Sequence, residues 1–152
     1  MELLFTIAVA AIILSVGVPG FQSYIDNNRA VTHTNDLVTA LNVARSEATR
    51  RGLPITVCSS SDGVACGGAW SDGWVVRTGA GEVLRSWPKR SGGAGVVTEL
   101  NGISEIRFLA RGSVAGAAPT FQIRLARCTG NQVRNVGVNG AGRVSVGRVD
   151  CP

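Results

Sequence analysis

The run LLFTIAVAAIILSVGV, residues 3–18, decides how the rest of the chain is to be read. It carries no charge, and its only polar side chains are Thr6 and Ser15. At about 1.5 Å per residue it reaches about 24 Å as a helix, slightly short of the ~30 Å hydrocarbon core of a bilayer. Such a run at one end of a chain can be the core of an export signal, a membrane anchor, or a spine packed against copies of itself. An export signal places Lys or Arg before the apolar run and a small-x-small cleavage site after it. Here Glu2 comes before it, and Val18-Pro19-Gly20-Phe21 is a poor cleavage site. A plain anchor accounts for the apolar run but leaves the carboxylate of Glu2 beside hydrocarbon without a partner.

Beyond the run, Pro19 lies between Gly17 and Gly20 and cannot donate a backbone hydrogen bond, so a kink or local melting of the helix is expected there. The pattern then turns amphipathic. Leu37, Leu41, Ala44 and Ala48 recur at helical spacing, leaving Asp26, Arg29, Asp36, Arg45, Glu47 and Arg50 mostly for the solvated side. Gly52 and Pro54 mark the stop. The helix is therefore expected to run to Arg51 with one stripe laid on a sheet.

The remaining hundred or so residues suffice for one small domain. Twenty glycines and many short Val/Ile runs favour β-structure with tight turns. Strands are expected over 53–58, 105–109 and 120–126, with a polar loop over 59–68 and another over 88–95. Hairpins are expected from 74–77 with 82–87 and from 134–139 with 143–149, the second across Asn139-Gly140-Ala141-Gly142. In the strand over 120–126, Phe121, Ile123 and Leu125 alternate with Gln122 and Arg124, as on a half-buried strand.

Four cysteines fall into two groups, Cys58 with Cys66 and Cys128 with Cys151. Zinc sites favour closer pairs than the first group provides, so two sequential disulfides in an oxidising compartment are the expected arrangement. Charge is unevenly placed. Residues 1–106 hold eight basic and nine acidic groups, whereas residues 107–152 hold seven arginines against Asp150, so the whole excess of +5 lies in the last third.

Several stretches together resemble one family. Glu2-Leu3-Leu4 leading into the apolar run, then Phe21-Gln22 and Asn27-Asn28-Arg29, resembles the start of a type IV pilin-like protein. The helix end Leu41-Asn42-Val43-Ala44-Arg45-Ser46-Glu47-Ala48 with Arg50-Arg51-Gly52 resembles the GspH/FimT group of pseudopilins and minor pilins. Val57-Cys58, Trp70-Ser71-Asp72-Gly73-Trp74 and Gly142-Arg143-Val144 do so too. The resemblance implies an α+β, type IV pilin-like fold: a long N-terminal helix packed on a C-terminal antiparallel β-sheet domain. Residues 1–25 would be the transmembrane and filament-core half of the helix. Residues 26–152 would be a periplasmic domain, made of an amphipathic helix over 26–51 and a β-domain over 53–152. Partners would be other pilin-type subunits, with the inner membrane holding the chain by a single pass before assembly. Glu2 would take the role of the glutamate understood to meet a neighbouring subunit's N-terminal amine, which would neutralise a buried charge. Read from Met1, the sequence shows neither the basic leader nor the processing residues of that class, so the start is expected to be placed too late or trimmed.

No catalytic, metal or cofactor constellation is expected. His33 is the only histidine and is read as a surface residue, and Trp70 and Trp74 as packing residues rather than a ligand platform. No Ser/His/Asp arrangement or phosphate-cradling loop appears. The first functional reading is a non-enzymatic filament subunit of a type II secretion pseudopilus or a type IV pilus. The alternative is a minor pilin that captures double-stranded DNA through Arg124, Arg134, Arg143 and Arg148, since some relatives bind DNA through basic C-terminal segments. A third reading is a lone membrane-tethered periplasmic domain.

Overall fold

The protein is described by a computed structural model covering residues 2–89, 96–125, 128 and 130–151. One helix, α1 (Glu2–Arg51), precedes nine strands: β1 (Ile55–Ser59), β2 (Gly73–Thr78), β3 (Val83–Pro88), β4 (Val96–Glu99), β5 (Glu105–Phe108), β6 (Val114–Ala115), β7 (Thr120–Arg124), β8 (Val133–Val138) and β9 (Val144–Val149). A short 3-10 turn, Trp70–Asp72, leads into β2. The helix-on-sheet architecture expected from the sequence is present, but the strands form two antiparallel sheets. The five-stranded sheet has the order β3-β2-β1-β5-β6 and the four-stranded sheet the order β4-β7-β8-β9.

Helix α1 runs through Pro19 without interruption, so the expected local melting does not occur. A proline removes one backbone donor, and the bonds on either side suffice to carry a helix of this length. At the other end Gly52 takes a φ of 65°, a left-handed conformation that glycine adopts without strain.

The C-terminal half of α1 buries Ala30, Thr34, Leu37, Ala40, Leu41, Ala44 and Ala48 completely or nearly so. These recur every three or four residues and make one stripe. The four alanines allow close backbone approach, and the two leucines fill the space between the sheets. The stripe contacts β1 and β2 of one sheet and β7 and β8 of the other, so α1 closes the open side of both. Val57, Val76, Ile106 and Phe108 meet it from the first sheet; Phe121, Ile123, Val136 and Val138 meet it from the second.

Two local devices hold the sheets in register. Trp70 packs edge-on against Phe121 with ring centroids 4.8 Å apart, and its Nε1 donates to the Ile103 carbonyl at 2.9 Å. Glu99, at the end of β4, accepts backbone N–H bonds from Asn101 at 2.8 Å, Ile103 at 2.6 Å and Thr120 at 3.2 Å. The two short strands β4 and β6 were not expected from sequence. Of the expected 88–95 loop, residues 90–95 lie outside the described residues, as does Ala126 at the expected end of β7.

The end of α1 is tied to the first sheet by charge. Glu47 accepts from Arg50 at 3.0 and 2.6 Å and from Arg51 at 2.7 Å, and Arg51 reaches Glu82 at 3.1 Å. The Arg50 and Arg51 hydrogen bonds hold the Glu47 carboxyl at about 2, against an ordinary value of 4.5. A lowered folded-state pKa adds stability that is present above the unfolded value and lost as pH falls towards the folded one. Glu47→Gln should therefore flatten part of the acid-induced loss between about pH 4.5 and about pH 2, with a small amplitude because the pair is solvated. Urea unfolding of both chains at about pH 5 and about pH 2.5 checks this. A difference between the two chains that is the same at both pH values would contradict it.

Candidate assembly surface and basic strands

The N-terminal half of α1 extends beyond the sheets. Every side chain described between Leu3 and Tyr24 is exposed, including Leu3 and Leu4 at 70%, Ile12 at 66% and Phe21 at 65%. Leu4, Ile7, Ile12 and Ile13 project in four different directions around the axis at 100° per residue, so the apolar surface wraps the helix rather than forming a stripe. A helix apolar on all sides is found inside a larger assembly or in lipid. Among the described residues, no helix is long and apolar enough to cross a membrane. Glu2 opens α1 at the far tip of this exposed half.

The four arginines singled out for nucleic acid do not form one cluster. In the second sheet, Ile123 pairs with Arg134 and Arg134 with Arg148, while Arg124 ends β7. Arg124, Arg134 and Arg148 thus lie at one end of the sheet. That end is fixed on the helix by Arg134, whose Nη2 donates to Asn27 Oδ1 and whose Nη1 donates to the Asn131 carbonyl, each at 2.9 Å. Arg143 sits at the opposite end, after the β8–β9 turn. There Arg45 approaches Gly142, at which an added Cβ would overlap the Gly112 carbonyl.

Arg134 does not present itself as a phosphate contact. It is only 5% exposed, and burial, aided by the nearby Arg148 charge, lowers its pKa. Its parity in β8 matches Val136 and Val138, which face α1, so the period-two pattern already placed it inside. Arg124, Arg143 and Arg148 are exposed.

Both expected disulfides are present. Cys58–Cys66 closes the loop after β1, and Cys128–Cys151 ties the chain end to the segment before β8. Inside the first loop, Asp62 Oδ1 accepts from Ser60, Val64 and Ala65 within 3.0 Å, and these bonds lower its pKa. Asp72 is lowered by Lys89, 2.8 Å away, and by the Ala69 N–H. Both acids are turn-builders.

Trp70 and Trp74 are buried, as packing residues should be. His33, half-buried, lines a cleft of about 270 Å³ with Asp36, Trp74, Trp87 and Lys89. The Trp74 Nε1 in that wall has no hydrogen-bond partner among the described residues. Among the described residues, no group of three or more His, Cys, Asp and Glu could hold a metal ion. Glu99 is the structurally important side chain that sequence reading passed over. Its one visible signal is a carboxylate just before the Leu100-Asn101-Gly102 turn, whose backbone donors need an acceptor.

Comparison with known proteins follows the same lines. Residues 33–142 match the model of a family described as type II transport protein GspH. Two crystal structures of the type IV minor pilin FimU from Pseudomonas aeruginosa strain PAO1 have a similar fold. One has a TM-score of 0.67 at 20% identity and covers 82% of this chain and 92% of that chain. The other has a TM-score of 0.62 at 21% identity and covers 76% and 90%. No curated protein matches the chain.

Proposed function

This chain belongs to the GspH family, and we propose on that footing that it is a filament subunit which assembles through the N-terminal half of α1. The family and the pilin fold make it a structural subunit of the pseudopilin or minor pilin kind. The observation that carries the assembly reading is the exposed apolar half-helix, which nothing in its own β-domain covers among the described residues.

The chain works in two parts, divided near residue 25. Residues 1–25 form the element that inserts into the inner membrane and then into the filament. Residues 26–152 form the periplasmic cover, which the disulfides suit to an oxidising compartment. The transfer is physical: the apolar segment leaves lipid for a bundle of equally apolar helices. Both a type II secretion pseudopilus and a type IV pilus use such a subunit, and the family match is compatible with either. No catalytic step is assigned to it.

Fractionation of cells producing the full chain tests this reading. The chain should divide between the inner membrane and sheared filaments. Recovery of the full-length chain as a freely soluble periplasmic monomer would overturn it.

The DNA-capture alternative draws on the exposed guanidinium groups of Arg124 and Arg148. It has less support than the sequence suggested, because Arg134 is buried and Arg143 lies at the far end of the sheet.

A further inference from the structure

We infer that the arginine-bearing end of the four-stranded sheet is a foot that rests on anionic phospholipid headgroups before assembly. The inference rests on the membrane-inserted reading of the N-terminal half of α1. Its carrying observation is a coincidence of position. The Arg134–Asn27 hydrogen bond fixes the sheet end holding Arg124, Arg134 and Arg148 at the point where α1 leaves the domain. Any apolar phase that takes residues 3–21 therefore has its polar boundary at this end.

The order of residues along α1 agrees with a lipid boundary. The apolar run gives way to Phe21 and then Tyr24, 64% exposed, and aromatic side chains of this kind settle at the headgroup level. Asp26, Asn27, Asn28 and Arg29 follow one turn later.

Among the described residues, the charges at this end are Arg29, Arg124, Arg134 and Arg148 against Asp26 and Asp150. Asp26 is engaged by Arg29 at 3.5 Å, and Arg134 is buried on Asn27. That leaves Arg124 and Arg148 exposed and free to meet phosphate. Arg148 stands directly across the strand pair from Arg134, a like-charge pairing that an anion would relieve. Membrane phosphate is the commitment here. A duplex needs several cations spread along its backbone, and Arg143 is at the wrong end to contribute.

The test uses the full chain and vesicles of phosphatidylcholine alone or with about one-third phosphatidylglycerol, at about 0.05 and 0.5 M salt. Partition should rise about tenfold with the anionic lipid at low salt and lose that gain at high salt. Arg124→Gln with Arg148→Gln should abolish the gain and leave partition into the neutral vesicles unchanged. A missing gain, or one that survives in the double variant, overturns the foot. Tighter binding to duplex DNA than to vesicles at equal phosphate, lost in the same variant, also overturns it and assigns the arginines to nucleic acid. Failure to enter either kind of vesicle overturns the membrane reading itself.

Discussion

Phe121→Ala is expected to destabilise the β-domain by about 3–5 kcal/mol, which is the cost of removing a fully buried phenyl ring from a packed core. The site is demanding because the ring joins parts of the fold that are far apart in sequence. It rises from β7 in the four-stranded sheet and meets the edge of Trp70, which leads into β2 of the other sheet. Trp70 is in turn fixed by its bond to the Ile103 carbonyl, so it cannot easily move into the space left. A domain of this size has about 5–15 kcal/mol of stability in all, so the variant should keep only a fraction of it. Urea unfolding at neutral pH should show a lower midpoint with an unchanged slope. Phe121→Leu, which keeps most of the volume, should cost about 1.5 kcal/mol or less if repacking succeeds. A loss below about 1 kcal/mol for the alanine variant would mean that the two sheets are not joined at this point.

Glu2→Ala should leave the β-domain as stable as before and reduce incorporation into filaments at least about tenfold, or about 1.4 kcal/mol in competition with the unmodified chain. The first half follows from burial: among the side chains whose burial is described, none before Ala30 is buried, and the core begins there. The second half follows from the cost of a carboxylate in an apolar helix bundle. Unpaired, it costs several kcal/mol; paired with a neighbour's amine, it is tolerated, so only one alignment of subunits is admitted. On the proposed assembly, removing Glu2 would take away the penalty on misplacement together with the attraction that would set the register. Glu2→Gln should behave like Glu2→Ala, since both lack the charge. Immunoblots of sheared filaments and of the membrane fraction measure the ratio. Equal incorporation of the variant would favour a lone tethered domain.

Much of this fold was legible because two periods are visible in the chain. The 3.6-residue spacing of Leu37, Leu41, Ala44 and Ala48 gave the helix and its buried stripe, and the hairpins followed from alternation around Gly-rich turns. Division into two sheets was not legible, since it depends on which strands pair across long separations. Val57 with Ile106, or Val97 with Ile123, leaves no local trace. The strands β4 and β6 have only four and two residues, too few for a period to show.

The arginines teach the opposite lesson. Counting charge grouped Arg124, Arg134, Arg143 and Arg148, whereas strand geometry pairs Arg134 with Arg148 and sets Arg143 apart. Five residues of β9 at about 3.4 Å each put roughly 17 Å between Arg143 and Arg148 along the strand. The alternation of Arg134 with Val136 and Val138 pointed inwards, and Asn27 supplies the acceptor that makes such burial tolerable.

On the proposed assembly, the apolar surface around the first half of α1 is covered by other molecules and never by its own domain. A photo-cross-linking residue placed in turn at Leu4, Ile7, Ile12 and Ile13 samples all sides of the helix in assembled filaments. Cross-links to neighbouring subunits from all four positions are the expected result. Cross-links that run only to the chain's own β-domain, or subunit contacts missing from every position, would contradict it.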